Sequence, residues 1–416
     1  MIFSPSRMGR LNKRALIRQL QKAGVASRAG LARSLGMSQP TAGKIVDELL
    51  ALEILEEVEV PAGGEEGETA ARLGRPGRQL RLNRTQPSFL AIHLGLSETR
   101  LAELTLGALA NDEWQVSFRQ PATTDPAAAW ARELRGAAKP FRARKFLGIL
   151  LSVPGVVDES SSRILLSPNI HWSEQVILPD IIRRHWDVPV LLVQEEYALA
   201  LGHHVNHPGH DDFLLVDFGE GVGGAVLVGG KPLAGPLPIR GEIGHTPVPG
   251  NPRQCGCGAT GCMETLVSVR GLLESFAGAP RRKNGSWAEL HAHIAEHGVE
   301  PWLATSLEAA AAAIAGAINV VGLRRVVITG SLAELPPAVT QHLFRAIESG
   351  AMWARFGSVE CVAAPRRRTA GLAAVGIDRF IVPDREQHGE PSRAAFSAKS
   401  AVKNGKIHKQ TTTVNK

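Results

Sequence analysis

Gly241-Glu242-Ile243-Gly244-His245-Thr246-Pro247-Val248-Pro249-Gly250-Asn251-Pro252-Arg253-Gln254-Cys255-Gly256-Cys257-Gly258-Ala259-Thr260-Gly261-Cys262-Met263-Glu264 is the stretch from which the rest of this 416-residue chain is read. It sets His245, Cys255, Cys257 and Cys262 within eighteen residues, and the chain has four cysteines in all. Glycine and proline fill the spaces between them, so the loop has almost no apolar side chains on which to close. A tetrahedral ion would close it. Three thiolates and an imidazole are a donor set that Zn2+ takes readily, and soft sulfur argues against magnesium or calcium. A disulfide between two of the cysteines, or three idle thiols, are the competing readings; four ligands this closely spaced favour the metal. Cys361 stands apart and reads as a buried apolar residue. Glu242 lies three residues before His245 and Glu264 two after Cys262. If one ring nitrogen of His245 takes the metal, the other is left to hydrogen-bond, and both acids come close to it. Such a group can cage a polyhydroxylated ligand. Spacing alone leaves open the alternative of two solvated loop carboxylates.

Outward from this loop, composition sets the bounds. The chain is long enough for two or three domains, and 44% hydrophobic content is ordinary for a folded protein. The longest apolar run, Ala309 to Leu323, is short and alanine-rich for a membrane span. Met1 to Arg10 has no apolar core of the kind a secretory signal needs, which gives a cytoplasmic expectation with no membrane partner. The net charge of +7 is unevenly spread. Residues 1–46 hold nine Lys or Arg and no acid, and residues 384–416 hold seven basic against three acidic residues. A basic head on a slightly acidic body points the head alone at a polyanion.

That head reads as a winged helix-turn-helix. Arg14 to Ala23 suits a first helix stopped by Gly24, Ser27 caps a second that ends at Gly36, and Ser38 caps a third with Pro40 in its first turn. Ile45, Leu49 and Leu52 form one apolar stripe on the third helix, leaving Ser38, Gln39, Thr41, Ala42 and Lys44 at the exposed end that a recognition helix offers to the major groove. Leu55 to Val60 and Gln79 to Asn83 are the expected wing strands. Between them Gly74-Arg75-Pro76-Gly77-Arg78 could carry Arg75 into a minor groove, or be a plain turn. A three-helix dimerisation module is the competing reading, and the acid-free first 46 residues weigh against it.

From about Phe89 strands and helices alternate, as in an α/β protein. Strands are expected at Leu90 to Leu94, Leu101 to Thr105, Phe146 to Val153, Val188 to Val193, Phe213 to Val216, Gly224 to Val228 and Arg325 to Thr329. After Pro383 the apolar periodicity stops, and the remainder reads as a disordered basic tail.

Gly-Glu-Ile-Gly-His followed by Cys-Gly-Cys-Gly-x-x-Gly-Cys-x-Glu resembles the zinc-loop signature of ROK proteins, a family of bacterial sugar-responsive repressors and sugar kinases. The head is similar to that of the repressor branch, which includes xylose and N-acetylglucosamine repressors. The resemblance implies a two-lobed actin/hexokinase-like (ribonuclease H-like) α/β body behind the winged helix-turn-helix. Domain limits would be 1–84, 85–383 and a 384–416 tail. It implies His245, Cys255, Cys257 and Cys262 as zinc ligands and Glu242, His245 and Glu264 as sugar contacts. Gly155, Asn169, Glu195 and Glu196 fall at further positions that the family places around the sugar, Glu196 matching the kinase base but longer by one methylene.

A kinase of that fold needs two phosphate turns. In Ile92-His93-Leu94-Gly95-Leu96-Ser97-Glu98 the expected acid is His93, Leu96 crowds the turn and Glu98 repels phosphate; in Gly219-Glu220-Gly221-Val222-Gly223-Gly224 Glu220 repels it again. Thr329-Gly330-Ser331 keeps one glycine of the adenosine-end pair. The expectation is therefore a non-catalytic sensor: a homodimeric or larger repressor binding operator DNA, with a neutral sugar as effector and Zn2+ in its loop. The alternative is an ATP-dependent sugar kinase fused to a DNA-binding domain.

Overall fold

The computed structural model describes residues 5–59, 78–86, 88–106, 113–207, 209–233, 239–278 and 285–382. Arg75 and the 384–416 segment lie outside them. The first elements are α1 (Pro5–Ala23), β1 (Val25–Ser27), α2 (Arg28–Ser34), α3 (Gln39–Ala51), β2 (Leu55–Val58) and β3 (Gln79–Leu82), with the strands in the antiparallel order β1-β3-β2. Gly24 ends α1 in a left-handed conformation, and the Ser27 and Ser38 hydroxyls accept from Gly30 and Thr41 N–H at 3.0 and 3.3 Å, so the caps fall where the sequence puts them. Two expectations change. Helix α1 starts nine residues earlier than Arg14, its Lys13 reaching Glu48 of α3 at 2.6 Å. On α3 the buried stripe is Ala42, Ile45, Val46 and Leu49, so Ala42 is 1% exposed, whereas Leu52, beyond the end of the helix, is 42% exposed. Spacing of 42, 45, 46 and 49 is that of one helical face, and the short side chain of Ala42 lets α3 sit close to its neighbours.

The body opens with β4 (Phe89–Leu94), β5 (Glu98–Leu104) and β6 (Val116–Arg119), continues through α4 (Pro126–Ala137), β7 (Gly148–Val153), a small hairpin of β8 (Val156–Asp158) and β9 (Arg163–Leu166), α5 (Leu178–Arg183), β10 (Val190–Gln194) and α6 (Glu195–Asn206). Its second half has β11 (Phe213–Phe218), β12 (Val222–Val228), β13 (Lys231–Pro232), α7 (Glu264–Val267), α8 (Val269–Gly278), α9 (Trp287–His297), α10 (Pro301–Val321), β14 (Arg325–Gly330), α11 (Pro337–Gly350), β15 (Glu360–Ala363) and α12 (Arg368–Gly376). All seven strands expected from the sequence are present. The two five-stranded sheets, β10-β7-β4-β5-β6 and β13-β12-β11-β14-β15, have one connectivity: an antiparallel meander of three strands, then two strands added parallel to its first. The body is thus a duplicated unit, a repeat that shows in topology and not in residue identity. Strands β4, β7 and β11 are buried along their whole length, which is why they read as apolar runs without alternation.

Helix α10 is long and apolar enough to cross a membrane by length and composition, but Leu303, Leu307, Ala310, Ile314 and Ile318 are buried in the core that also holds Val326 and Ile328 of β14. The last helix returns to the first half. Leu372 and Val375 of α12 join Phe89, Ala91 and Leu150 in one core. Helices α6 and α12 touch backbone to backbone: a Cβ on Gly371 would lie 1.7 Å from the Ala198 carbonyl oxygen, and one on Gly202 1.8 Å from that of Arg367. After α12 a π turn, Ile377–Ile381, carries Asp378, whose carboxylate pairs with Arg14 of α1 at 2.7 Å.

The close approach is testable. Gly371→Ala must push the helices apart and should cost about 1–3 kcal/mol or more of stability. Gly316→Ala, on the open face of α10 with nothing within 4 Å of the added carbon, should add about 0.5–1 kcal/mol. Urea denaturation of both variants checks the contrast.

Candidate functional site

Loop 241–264 folds over β12. Gly241 and Gly244 lie where a Cβ would meet the Gly224 and Val222 carbonyl oxygens at 1.9 and 2.0 Å, so glycine is what allows the approach. Its backbone also closes on itself, with Val248 N–H donating to Gly261, Gly261 to Arg253 and Met263 to Thr246. This closure is a structural contribution that apolar content alone did not reveal. The ligand atoms of His245, Cys255, Cys257 and Cys262 all lie within 4.8 Å of one another. Cys255 Sγ is 3.5 Å from His245 Nδ1 and the Cys257 and Cys262 sulfurs are 3.6 Å apart. The cluster could hold a metal ion. Burial pushes the Cys262 thiol up to about 12 and raises Cys255, a cost that a bound cation offsets by displacing the protons. Cys361 is a partly buried thiol, also pushed up to about 12 by burial.

With Nδ1 facing the sulfurs, His245 turns Nε2 toward Glu242, 3.6 Å from its carboxylate. Glu264 is 5% exposed; its carboxylate accepts from Val222 N–H at 2.8 Å and from Asn169 Nδ2 at 3.3 Å. Gly256, between two of the cysteines, packs its backbone on Pro168 and Asn169, where a Cβ would lie 2.4 Å from the Pro168 oxygen. The 241–264 loop therefore supports Asn169 as well as His245. Gly155 has φ +91° and sits where a Cβ would be 2.2 Å from the Leu166 oxygen, so the turn after β7 holds down the segment that leads to Asn169.

Glu195 and Glu196 begin α6 on the facing side. Glu195 is paired with Arg368 and lies 3.8 Å from His93 Nε2. Glu196 packs against the bare backbone of Gly223, and one of its oxygens is buried without a partner. Burial first, then the neighbouring charges of Glu195, Glu242 and Asp217, raise its pKa well above the ordinary carboxylate value. Burial and Glu264 hold Glu242 at about 7. The site therefore joins Asn169, Glu196, Glu242, His245 and Glu264 into a group rich in acceptors and short of countercharge, suited to a ligand with many hydroxyl donors.

At the phosphate turns the chain's own charges interact. Glu220 accepts from Ser97 N–H at 3.2 Å and from its hydroxyl, joining the turn after β11 to the turn after β4. Asp217 takes Arg366 through both its oxygens, at 2.7 and 2.8 Å, and the Thr329 hydroxyl at 2.8 Å. The Arg366 guanidinium lies against Gly219 and Gly330, 2.4 and 2.7 Å from where their Cβ atoms would be. His93 is 7% exposed, and burial, then Arg368, lower its pKa well below the ordinary value, so it stands as a neutral imidazole. Sequence reading missed Arg366 and Arg368. The available signal was three consecutive arginines between an apolar strand and an apolar helix, a place where buried guanidinium groups require acids from elsewhere in the chain.

Among the residues expected to face DNA, Ser38, Gln39, Thr41 and Lys44 are exposed at the start of α3 and Ala42 is not.

Residues 108–375 match the ROK family. The xylose repressor of Caldicellulosiruptor bescii is 26% identical over 274 residues, 63% of this chain and 65% of that protein, so the chain spans about two thirds of its length. The Bacillus subtilis xylose repressor is 24% identical over 383 residues, 89% of this chain and 96% of its own. A Halalkalibacterium halodurans glucokinase is 30% identical over 192 residues, 44% of this chain and 57% of the enzyme. A solved ROK family transcriptional regulator, a homologue of the Escherichia coli MLC protein, superposes with TM-score 0.68 at 20% identity, covering 88% of this chain and 96% of the other, a likeness of fold.

The raised pKa of Glu196 has a consequence for stability. An acid whose folded pKa exceeds its unfolded value keeps its proton longer when folded, so its contribution is present at low pH and declines as pH rises from the unfolded value through the folded one. Glu196→Gln should flatten that decline and melt at a higher temperature than the parent at pH 8, with the difference vanishing near pH 4. Melting curves across that range measure it.

Proposed function

The chain belongs to the ROK family, and from that premise we propose that it is a sugar-responsive transcriptional regulator, a repressor whose affinity for operator DNA changes when a neutral sugar enters the acid-lined site. The observation that carries the reading is a contrast within one cleft. Asn169, Glu196, Glu242, His245 and Glu264 stand together as an acceptor-rich group, while the turns after β4 and β11 are taken up by Glu220 with Ser97 and by Asp217 with Arg366. Repressor relatives support the same reading.

In this proposal residues 1–84 are a winged helix-turn-helix. Helix α3 presents Ser38, Gln39, Thr41 and Lys44 to the major groove, and Arg75, between β2 and β3, reaches the minor groove. A homodimer would present two such helices to half-sites a multiple of about 34 Å apart. A protein that reads chromosomal DNA works in the cytoplasm.

Zn2+ is the ion proposed for the loop. With Zn–S near 2.3 Å and Zn–N near 2.0–2.1 Å, tetrahedral ligand atoms stand about 3.5–3.8 Å apart, the range of the 3.5 and 3.6 Å separations here. The ion's role would be to hold the loop. His245 Nε2 and Glu264 then meet the sugar in a fixed orientation. One Zn2+ per chain is expected by elemental analysis, and Cys257→Ala should lose metal and sugar response together.

The signal can travel by the rigid pair α6 and α12. Glu195 and Arg368 join the two helices at the sugar end, and Asp378, just past α12, meets Arg14 of the head. A ligand shifts such an equilibrium only by its differential affinity for the two states, which typically amounts to about 1–3 kcal/mol and is reciprocal. Asp378→Asn should keep both operator and sugar binding but reduce the coupling, read as operator affinity with and without saturating sugar at fixed salt. Equal operator affinity in the parent protein with and without its sugar would overturn the proposal. The kinase alternative predicts turnover of about 1–100 per second with ATP and the bound sugar; background rates are expected instead.

A further inference from the structure

The acid-lined site opens at Asn169 onto a second space. A cavity of 590 Å³ lies between the turn after β4 and helix α8, sharing Asn169 with the site and bounded below by Glu220. Glu196, Glu242, His245 and Glu264 are not in its wall, so a sugar ring held by those groups would leave it unfilled. Its volume lies within the range of about 300–1,000 Å³ that accommodates whole small-molecule ligands, more than one pyranose ring uses.

The wall has two kinds of surface. Leu96, Val269, Leu273 and Ala277 form an apolar side, while Ser97, Glu220, Arg270 and Glu274 form a polar rim. Arg270 and Glu274 stand one turn apart on α8 with 3.8 Å between their charged atoms, so donor and acceptor are already set beside each other. An apolar face edged by hydrogen-bonding groups matches a pyranose, which has a C–H face and hydroxyl edges. It does not match a nucleotide: the Glu220 carboxylate, held by Ser97 at the floor, would oppose phosphate. The metal loop fixes this wall too. Arg253 donates to the Thr265 and Gly271 oxygens at 2.6 and 3.0 Å and to the Ser275 hydroxyl at 2.9 Å, tying α8 to the loop that carries His245.

We infer that the effector is a disaccharide, with one sugar unit in the acid-lined site and the second in the cavity along α8. This inference rests on the sugar-sensor reading and narrows it.

The test is calorimetric, on the full zinc-loaded chain, with monosaccharides paired with their disaccharides: xylose with xylobiose, glucose with cellobiose and with maltose, N-acetylglucosamine with chitobiose. At least one disaccharide should bind about tenfold or more tighter than its monosaccharide, the discrimination that a filled subsite supplies. Leu273→Trp, which fills the cavity, and Arg270→Ala, a change on the exposed rim that does not threaten folding, should each remove that advantage and leave monosaccharide affinity unchanged. Monosaccharides binding as tightly as every disaccharide, or an advantage that survives both substitutions, would overturn the inference while leaving the sensor reading intact; MgATP competing with the disaccharide would overturn the inference and count against the sensor reading as well. Binding of no sugar of either size would overturn both.

Discussion

Negative charge gathered where water is scarce is the constraint that the rest of this structure answers. Asp217, Glu195, Glu196, Glu242 and Glu264 converge on the junction of the two sheets, and a carboxylate taken out of water needs a partner or a proton. Arg366 answers Asp217, Arg368 answers Glu195, and a backbone N–H with the Asn169 amide answers Glu264. Glu196 and Glu242 are answered by neither and are held toward their protonated forms. The acids that are paired hold the body together, Asp217 fixing the segment after β15 and Glu195 joining α6 to α12, and Glu196 and Glu242 are left without countercharge. A single cleft is therefore charge-balanced at the turns after β4 and β11 and acceptor-rich beside the 241–264 loop.

The arginines also explain the path of the chain. To reach Asp217 and Glu195, the segment after β15 must pass through the junction, and α12 then continues onto the first sheet although it follows the second in sequence. Backbone contact with α6 at Gly202 and Gly371 leaves no room for the two helices to slide on flexible side chains. Whatever moves the start of α6 therefore moves α12, and Asp378 with it.

Much of this was legible in the sequence because its causes are local. Three thiols and an imidazole within one loop, Ser27 and Ser38 ahead of apolar periodicity, and unbroken apolar runs for strands buried on both faces are each set by neighbouring residues. What escaped reading is set by distance along the chain. The short strands β1 and β15 owe their pairing to partners far away in sequence, and β6, β8, β9 and β13, though paired with near neighbours, are too short to carry a pattern of their own. Ala42 reads as polar-neutral surface until the packing of α3 puts it inside. Arg366 looks like part of a solvated basic run until its partner, 149 residues earlier, is known. Family likeness brought Glu195 and Glu196 into view, but only the geometry distinguishes them, one neutralised by an arginine and the other left to hold its proton.

The pairing of Arg14 with Asp378 joins the first of the described helices, α1, to the turn that follows α12, and this orders events at the ribosome. The head's sheet can close once β3 is made and pairs with β1 and β2, whereas the carboxylate that Arg14 meets does not exist until the π turn after α12 has been made. At about 5–20 residues per second, synthesis leaves the head without that pairing for roughly tens of seconds. During that interval Arg14 waits for its carboxylate, which only the turn after α12 supplies.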